Sequence, residues 1–406
     1  MGARVVITGL GVVAGAAAGS HRLADVLRGS TMPASEVDRS AGYHLPESAR
    51  LAVLTADLDL SPWIPPGAGR RMSPPSRLGV AAARMAVDDA GLTGAVDGPR
   101  TTVVMASAFS AVDFTERLLR AVFLEGPETV SPFMFTESVA NAAAAQIAIA
   151  NQARGPNLTI VQKEAGILTA IGRGAAEVAA DRADYALAGG VEEMPPLLHA
   201  LLDRFGALAR PGSPGGEVAR PFDRFRSGSV ASEGAVVLLL EDEQRARSRG
   251  AVIRARVRGF GSAFDPSASR VGWGSDHVAL GQALGRMLAR AGLAPRDVGR
   301  IVSGASGSLA GDRLEARTLR QAWDGSRLPP IVAPKGVTGE YGGGFLGAAV
   351  LAASNGEAGP AGGFCEPDPE LGVRPHEGGP LGPATRTLVT SLASGGAASW
   401  LLLESV

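Results

Sequence analysis

Apolar residues recur at helical spacing through GVAAARMAVDDAGL, Gly79 to Leu92, and the run ends at a glycine stop signal. A β-branched run, TTVVMASAFS (Thr101 to Ser110), follows and predicts a strand that opens into small residues. The same succession returns later: ALGRMLARAGL (Ala283 to Leu293) predicts a helix, and RIVSGASGS (Arg300 to Ser308) a strand with a small polar loop. Both helices carry an Arg-Met pair and finish on Ala-Gly-Leu. The copies lie about half a chain length apart, which predicts an internal duplication.

Between and beyond them, strands alternate with helices. ADYALAGGV (Ala183 to Val191) predicts a short buried strand, and GSVASEGAVVLLLED (Gly228 to Asp242) a longer one. RTLVTSLASGGAASWLLLE (Arg386 to Glu404) predicts a hairpin turning on glycines, and SVANAAAAQIAIANQA (Ser138 to Ala153) a helix. Such alternation predicts an α/β fold whose strands are covered on both faces. The Pro/Gly-rich stretches Pro211 to Gly216 and Asn355 to Pro380 predict surface loops.

Composition narrows the function classes. The 406 residues are 45% hydrophobic, enough for a substantial core, and the net charge of −1 argues against nucleic acid or an anionic membrane surface as partner. No apolar run reaches the roughly 20 residues of a membrane span. The opening MGARVVITGLGVVAGAAAGS reads as a strand and turn rather than a signal peptide, so a cytoplasmic protein is expected. The glycines of GLGVVAG (Gly9 to Gly15) do not have dinucleotide-loop spacing, and no cofactor is expected. The five histidines are scattered without metal-ligand spacing, so no metal is expected. The single cysteine, Cys365 in GGFCEPDPE, excludes an internal disulfide and has no basic sequence neighbour to activate it.

One stretch looks built for chemistry. GPNLTIVQKEAGILTAIGRGAAE, Gly155 to Glu177, has the strand, sharp turn and small-residue helix start that display a nucleophile in many enzymes. The residue at the turn is Glu164, flanked by Lys163 and Ala165.

Two further segments complete a pattern. The chain opens with ARVVITGLGVV and later carries PFDRFRSGSVASEGA, Pro221 to Ala235, followed by APKGVTGE. Together with GPNLTI, these resemble the β-ketoacyl synthases of the thiolase-like superfamily, from the first strand to the C-terminal SLASGGAASWLLLE. The resemblance implies a duplicated five-layer αβαβα sandwich. Residues 1–250 would form the N-terminal thiolase-like half, with the elbow and dimer-interface segments, and residues 251–406 the C-terminal half.

Synthases of this family join an acyl thioester to a malonyl unit with a cysteine and two histidines. Position by position, this chain has none of the three. The elbow holds Glu164. The first histidine position, in SGASGSLAGDRLE, falls at Gly304 or Ala305, with Asp312 and Glu315 keeping the downstream frame. The second, in KGVTGEYGGG, is Glu340, while Lys335 remains. The gating loop, LASGG, has Ser394 where the family has an aromatic residue. No catalytic residue of its own is therefore expected.

This combination resembles the chain-length factor, or KSβ subunit, of type II polyketide synthases. QKEAGI (Gln162 to Ile167) stands where those factors have a run like A-E-Q-A-G-G, and VDFTERLLRAVFLEGPETVS (Val112 to Ser131) is similar to their tunnel-lining segment. The resemblance implies a heterodimer with an active ketosynthase α subunit. It also implies contact with acyl carrier protein through that complex, and a growing polyketide chain in a shared tunnel. Val112, Thr115 and Leu119, spaced for one helical face, and Phe133 are the expected tunnel and gating residues. A small Val112 leaves room for a longer chain, as in a polyene or highly reduced product. The alternatives are a malonyl-carrier-protein decarboxylase working at Glu164, and an acyl-binding scaffold outside polyketide synthesis. An ionised Glu only accepts hydrogen bonds and would repel a malonyl carboxylate; a helix N-terminus favours that form, and burial favours the protonated one.

Overall fold

The computed structural model describes residues 4–15, 17–29, 33–55, 58–64, 67–94, 96, 98–340 and 358–406. The Tyr341–Gly344 end of the KGVTGEYGGG segment, and the first residues of the Asn355–Pro380 stretch, lie outside them.

Ten strands form the spine of the main sheet. In the N-terminal half they are β1 (Val5–Ala14), β2 (Thr101–Ala106), β3 (Asn157–Ile160), β4 (Tyr185–Glu192) and β5 (Gly234–Asp242). In the C-terminal half they are β6 (Ala255–Phe264), β7 (Arg300–Val302), β8 (Ile331–Val332), β9 (Arg386–Leu392) and β10 (Ala397–Glu404). Their order is β8-β7-β9-β10-β6-β1-β5-β4-β2-β3. Each half therefore repeats one topology: two antiparallel pairings next to the junction, then two parallel ones towards the edge. Even the irregularities match, with a register shift between Ile7 and Gly9 in one half and between Val257 and Gly259 in the other. The two half-sheets meet at β1 and β6, whose ladder pairs Val6 with Arg256 and Ile7 with Ala255.

The helices complete five layers. Helix α1 (Pro74–Asp89) covers the outer face of the first half-sheet with α4 (Ala142–Ala150), around a core including Val80, Met85 and Ile147. Between them in the chain run α2 (Val112–Leu124) and the short α3 (Pro132–Ser138). Helix α5 (Gly166–Ala179) lies between the half-sheets, its Leu168 and Ile171 packed with Val236 and Leu238 on one side and Leu401 on the other. Helices α6 (His277–Arg290) and α7 (Leu309–Ala322) cover the outer face of the second half-sheet through Leu284, Leu288 and Leu319. The repeated helix-strand pairs, α1–β2 and α6–β7, thus match: both helices are in the outer layers, and both strands are fourth from the junction.

Gly9 and Gly11 are strand residues, and packing explains them. A Cβ on Gly11 would sit 1.7 Å from the Ala82 carbonyl oxygen, and one on Gly9 2.0 Å from that of Ala86. Helix α1 can lie this close to β1 only over bare backbone.

Two expected elements are split. Ser138–Ala153 is not one helix: α3 ends at Ser138 and α4 begins at Ala142, with extended backbone at Val139. Hydroxyls of Thr136 and Ser138 bond back to the Phe133 and Phe135 carbonyls and close α3. The buried Glu137 accepts hydrogen bonds from Ser73 N, Ser76 Oγ and Gln146 Nε2 and fixes the break. The Gly228–Asp242 strand is likewise broken at Glu233. Ala231–Ser232 leaves the main sheet to pair with Ala52–Val53. The Glu233 carboxylate holds Thr55 and the Met194 N–H in place. No helix among the described residues is long and apolar enough to cross a membrane.

Candidate functional site around the Glu164 elbow

Strand β3 leads into a short turn, Lys163–Ala165, and then directly into α5. The turn is tight: Lys163 adopts φ +45, a left-handed conformation uncommon for a residue with a side chain. The strain falls on Lys163, leaving Glu164 at the crest. No side chain caps the N-terminus of α5. The Glu164 carboxylate reaches instead to the C-terminal hairpin, accepting from Ser394 N at 3.2 Å and from Ser394 Oγ at 3.3 Å. Ser391 Oγ donates to the Glu164 carbonyl at 2.6 Å. Lys163 Nζ donates to Arg270 O at 2.9 Å and to Ser394 Oγ at 3.3 Å. The β9–β10 turn is therefore latched onto the elbow, and the serine in the gate position is part of the latch.

The other expected positions gather around the same point. Buried Lys335 forms an ion pair with Glu340. Burial pushes the Glu164 carboxyl up to about 7; the neighbouring Glu340 charge adds to this, while Lys335 and Lys163 oppose it. Gly304 has no room for a side chain, since a Cβ would lie 2.8 Å from Thr390 O and 3.0 Å from Ser391 Cα. Of the two candidate positions only Ala305 carries one, a methyl packed into the outer core.

Glu315 and Asp312 organise the loop between β7 and α7. Glu315 accepts from Ser303 Oγ at 2.6 Å, Gly304 N at 3.2 Å and the Thr390 hydroxyl. Asp312 accepts from Phe222 N at 2.8 Å and Ser306 N at 3.1 Å. Burial raises both carboxyls, Asp312 to about 7. The assembled site thus consists of carboxyls, amines and hydroxyls.

The expected tunnel residues sit at different depths along α2. Val112 packs into a small core with Leu198 and Leu208. The Thr115 hydroxyl is turned back to Ala111 O at 2.8 Å. Leu119 is exposed, and Phe133 meets Phe114 edge-on with centroids 6.1 Å apart. Large apolar side chains on α2, α3 and α4 are exposed as well: Phe123 is 79% exposed, Leu124 76%, Phe135 61% and Ile149 70%. Strand β3, at the edge of the sheet, leads into the elbow.

Some residues escaped the sequence reading. Glu192 and Glu193, at the end of β4, anchor the start of α2. Glu192 accepts from Ala108 N and Phe109 N, and Glu193 from Asp113 N at 2.8 Å. Burial pushes them up to about 8 and about 7. His44 and His199, 155 positions apart, meet at 3.0 Å. Cys365 has a basic neighbour after all, with Arg220 Nη1 3.5 Å from its sulfur. Only the Glu-Glu pair at a strand end offered a signal; the others are contacts across the fold. No cluster of three metal-ligating side chains occurs among the described residues.

The family descriptions that match are Beta-ketoacyl synthase, N-terminal domain, over residues 2–246, and Beta-ketoacyl synthase, C-terminal domain, over residues 254–354. A Streptomyces halstedii protein provisionally named polyketide beta-ketoacyl synthase 2 is 33% identical over 86% of this chain and 83% of its own length. A 3-oxoacyl-[acyl-carrier-protein] synthase 2 of Vibrio harveyi is 31% identical over 74% of this chain and 72% of its own. Among solved structures, the ishigamide ketosynthase/chain length factor superposes with a TM-score of 0.88 at 26% identity, covering all of both chains.

Proposed function

We infer from one premise, that this chain belongs to the β-ketoacyl synthase family, the role of a chain-length factor in a type II polyketide synthase. The observation that carries the reading is the chemistry of the assembled elbow. A carboxyl held by a serine latch stands where a condensing enzyme needs a thiol, a methyl or bare glycine stands at one imidazole position, and a lysine-bound carboxylate stands at the other. The chain keeps the frame of a synthase and supplies neither nucleophile nor imidazole base. Condensation then belongs to an active ketosynthase partner. The exposed apolar side chains of α2, α3 and α4 support docking of that partner, because so many large ones on three successive helices favour association. On this reading residues 1–250 form the docking half and residues 251–406 the half that latches the elbow. Acyl carrier protein meets the pair, and the partner wall closes a tunnel along Val112, Thr115, Leu119 and Phe133.

Product length tests this directly. Val112→Phe and Leu119→Trp, each co-expressed with the ketosynthase, are expected to shorten the product by one or more two-carbon units while leaving pairing intact. Product mass spectrometry reads the change, and unchanged length from both variants would sink the tunnel assignment.

A second reading rests on the raised Glu164 carboxyl. With its midpoint at about 7, a large fraction is neutral at physiological pH and can donate to a developing enolate oxygen. If the elbow decarboxylates malonyl carrier protein, carbon dioxide release should fall as pH rises through about 7. It should be lost in Glu164→Ala and survive inactivation of the partner's thiol. Release that ignores both pH and Glu164→Ala leaves the elbow structural.

A further inference from the structure

The C-terminal half carries a cleft of about 740 Å³ whose walls include no elbow or α2 residue. Four arginines line it, Arg296, Arg320, Arg327 and Arg374, and no Asp or Glu among the described residues does. Arg374 is paired with Glu377, whereas the other three have no carboxylate partner among the described residues. They come from separate places in the chain: Arg296 from the turn after α6, Arg320 from the last turn of α7, Arg327 from the loop beyond it.

The surroundings keep these charges available. Asp297, next to Arg296, turns its carboxylate to Ala294 N at 2.8 Å. The carbonyls at the end of α7 are also occupied: Leu319 O accepts from Trp323 N at 3.0 Å, and Trp323 O from Ser326 N at 2.8 Å. Arg320 is held in place, its Nη1 donating to Gly372 O at 3.1 Å. Gly372 has φ +59, a conformation that favours glycine, and its bare backbone leaves room for the guanidinium, since a Cβ would fall 2.2 Å from that nitrogen. Between the arginines the wall is mostly apolar, with Leu328, Pro329 and Pro330 over the buried Val298, Trp323, Ile331 and Val373, and Ser326 beside them.

We propose that this cleft binds a small organic diphosphate of the nucleoside diphosphate class. Three unpaired guanidinium forks in one concavity call for a ligand with more than one negative charge, and their planar geometry matches phosphate oxygens. The apolar wall accepts the organic body, and the volume lies within the range of small-molecule sites. The site is separate from the elbow, and the assignment stands whether or not the chain measures polyketides.

Calorimetric titration of the full chain, purified in its co-expressed complex, tests the assignment with ADP, coenzyme A and inorganic pyrophosphate. ADP and coenzyme A share the diphosphate ester, and the tighter of the two identifies the source as free nucleotide or acyl-carrier cofactor. Pyrophosphate is expected to bind about tenfold more weakly for lack of the organic body. Arg296→Ala with Arg327→Ala should weaken the diphosphate esters at least about tenfold, and because both side chains are exposed the fold should survive. Arg320→Ala, which removes the third guanidinium, should weaken them as well. Absence of binding at about 1 mM of either ester, equal affinity for pyrophosphate, or undiminished affinity in the double variant would overturn the proposal.

Discussion

Lys335→Met is expected to destabilise the protein by about 3–5 kcal/mol, because it strips the cation from a buried ion pair. Lys335 is 1% exposed and bonded to Glu340, and its charge also acts on Glu164 and Glu315. Without it, three carboxyls share a region with little solvent, and each must protonate or repel the others. The sign with pH follows. Burial already raises the folded-state value of Glu164 to about 7 from an ordinary 4.5. Its contribution to stability is therefore complete below 4.5 and lost as pH rises through about 7. Removing Lys335 raises that folded value further, so the variant should lose more at pH 8 than at pH 5.5. Urea unfolding at the two pH values measures this. Adding Glu340→Gln should restore a large part of the loss, since the orphaned charge disappears. A cost below about 1 kcal/mol, or no recovery in the double variant, would show that the pair is not holding the elbow region together.

Phe123→Asp combined with Ile149→Asp should abolish co-purification with the ketosynthase. Both side chains lie mostly in solvent in the single chain, so neither substitution removes core packing. At a large interface, however, buried aromatic and aliphatic anchors contribute about 2 kcal/mol or more each, and two buried carboxylates add desolvation cost. A loss of affinity beyond about a hundredfold is expected. Val252→Asp, at an equally exposed apolar residue outside this face, should leave pairing unchanged. Gel filtration of the co-expressed pair separates the outcomes. Retained pairing in the double variant would place the partner elsewhere.

The parts of the fold that were legible were those set by local pattern. Helices α1 and α6 announced themselves through apolar spacing and a closing glycine, and the β9–β10 hairpin through its Gly-Gly turn. The matching of the two halves could also be seen, because both copies needed the same outer helix and following strand. Where local pattern misled, a distant contact had intervened. The alanine-rich stretch to Ala153 has uniform helical propensity, yet Glu137, tied to Ser73 and Ser76, halts one helix before the next begins.

The candidate site divides in the same way. Which residue types stand at the elbow and its companion positions is a property of the chain order, so Glu164, Gly304 or Ala305, Glu340 and Ser394 could be named in advance. What they touch could not be. Ser394 was expected as a missing aromatic gate and proves to hold Glu164 from 230 positions away. Only the short Lys335–Glu340 pair, five positions apart, was within reach of sequence reasoning. By itself, then, the sequence determined most of the elements, the duplication and the absence of a thiol at the elbow, because these depend on residue identity and short-range spacing. The tertiary structure alone decided the serine latch, the raised carboxyls and the arginine cleft, because hydrogen bonds and desolvation depend on which distant surfaces the packed layers bring together.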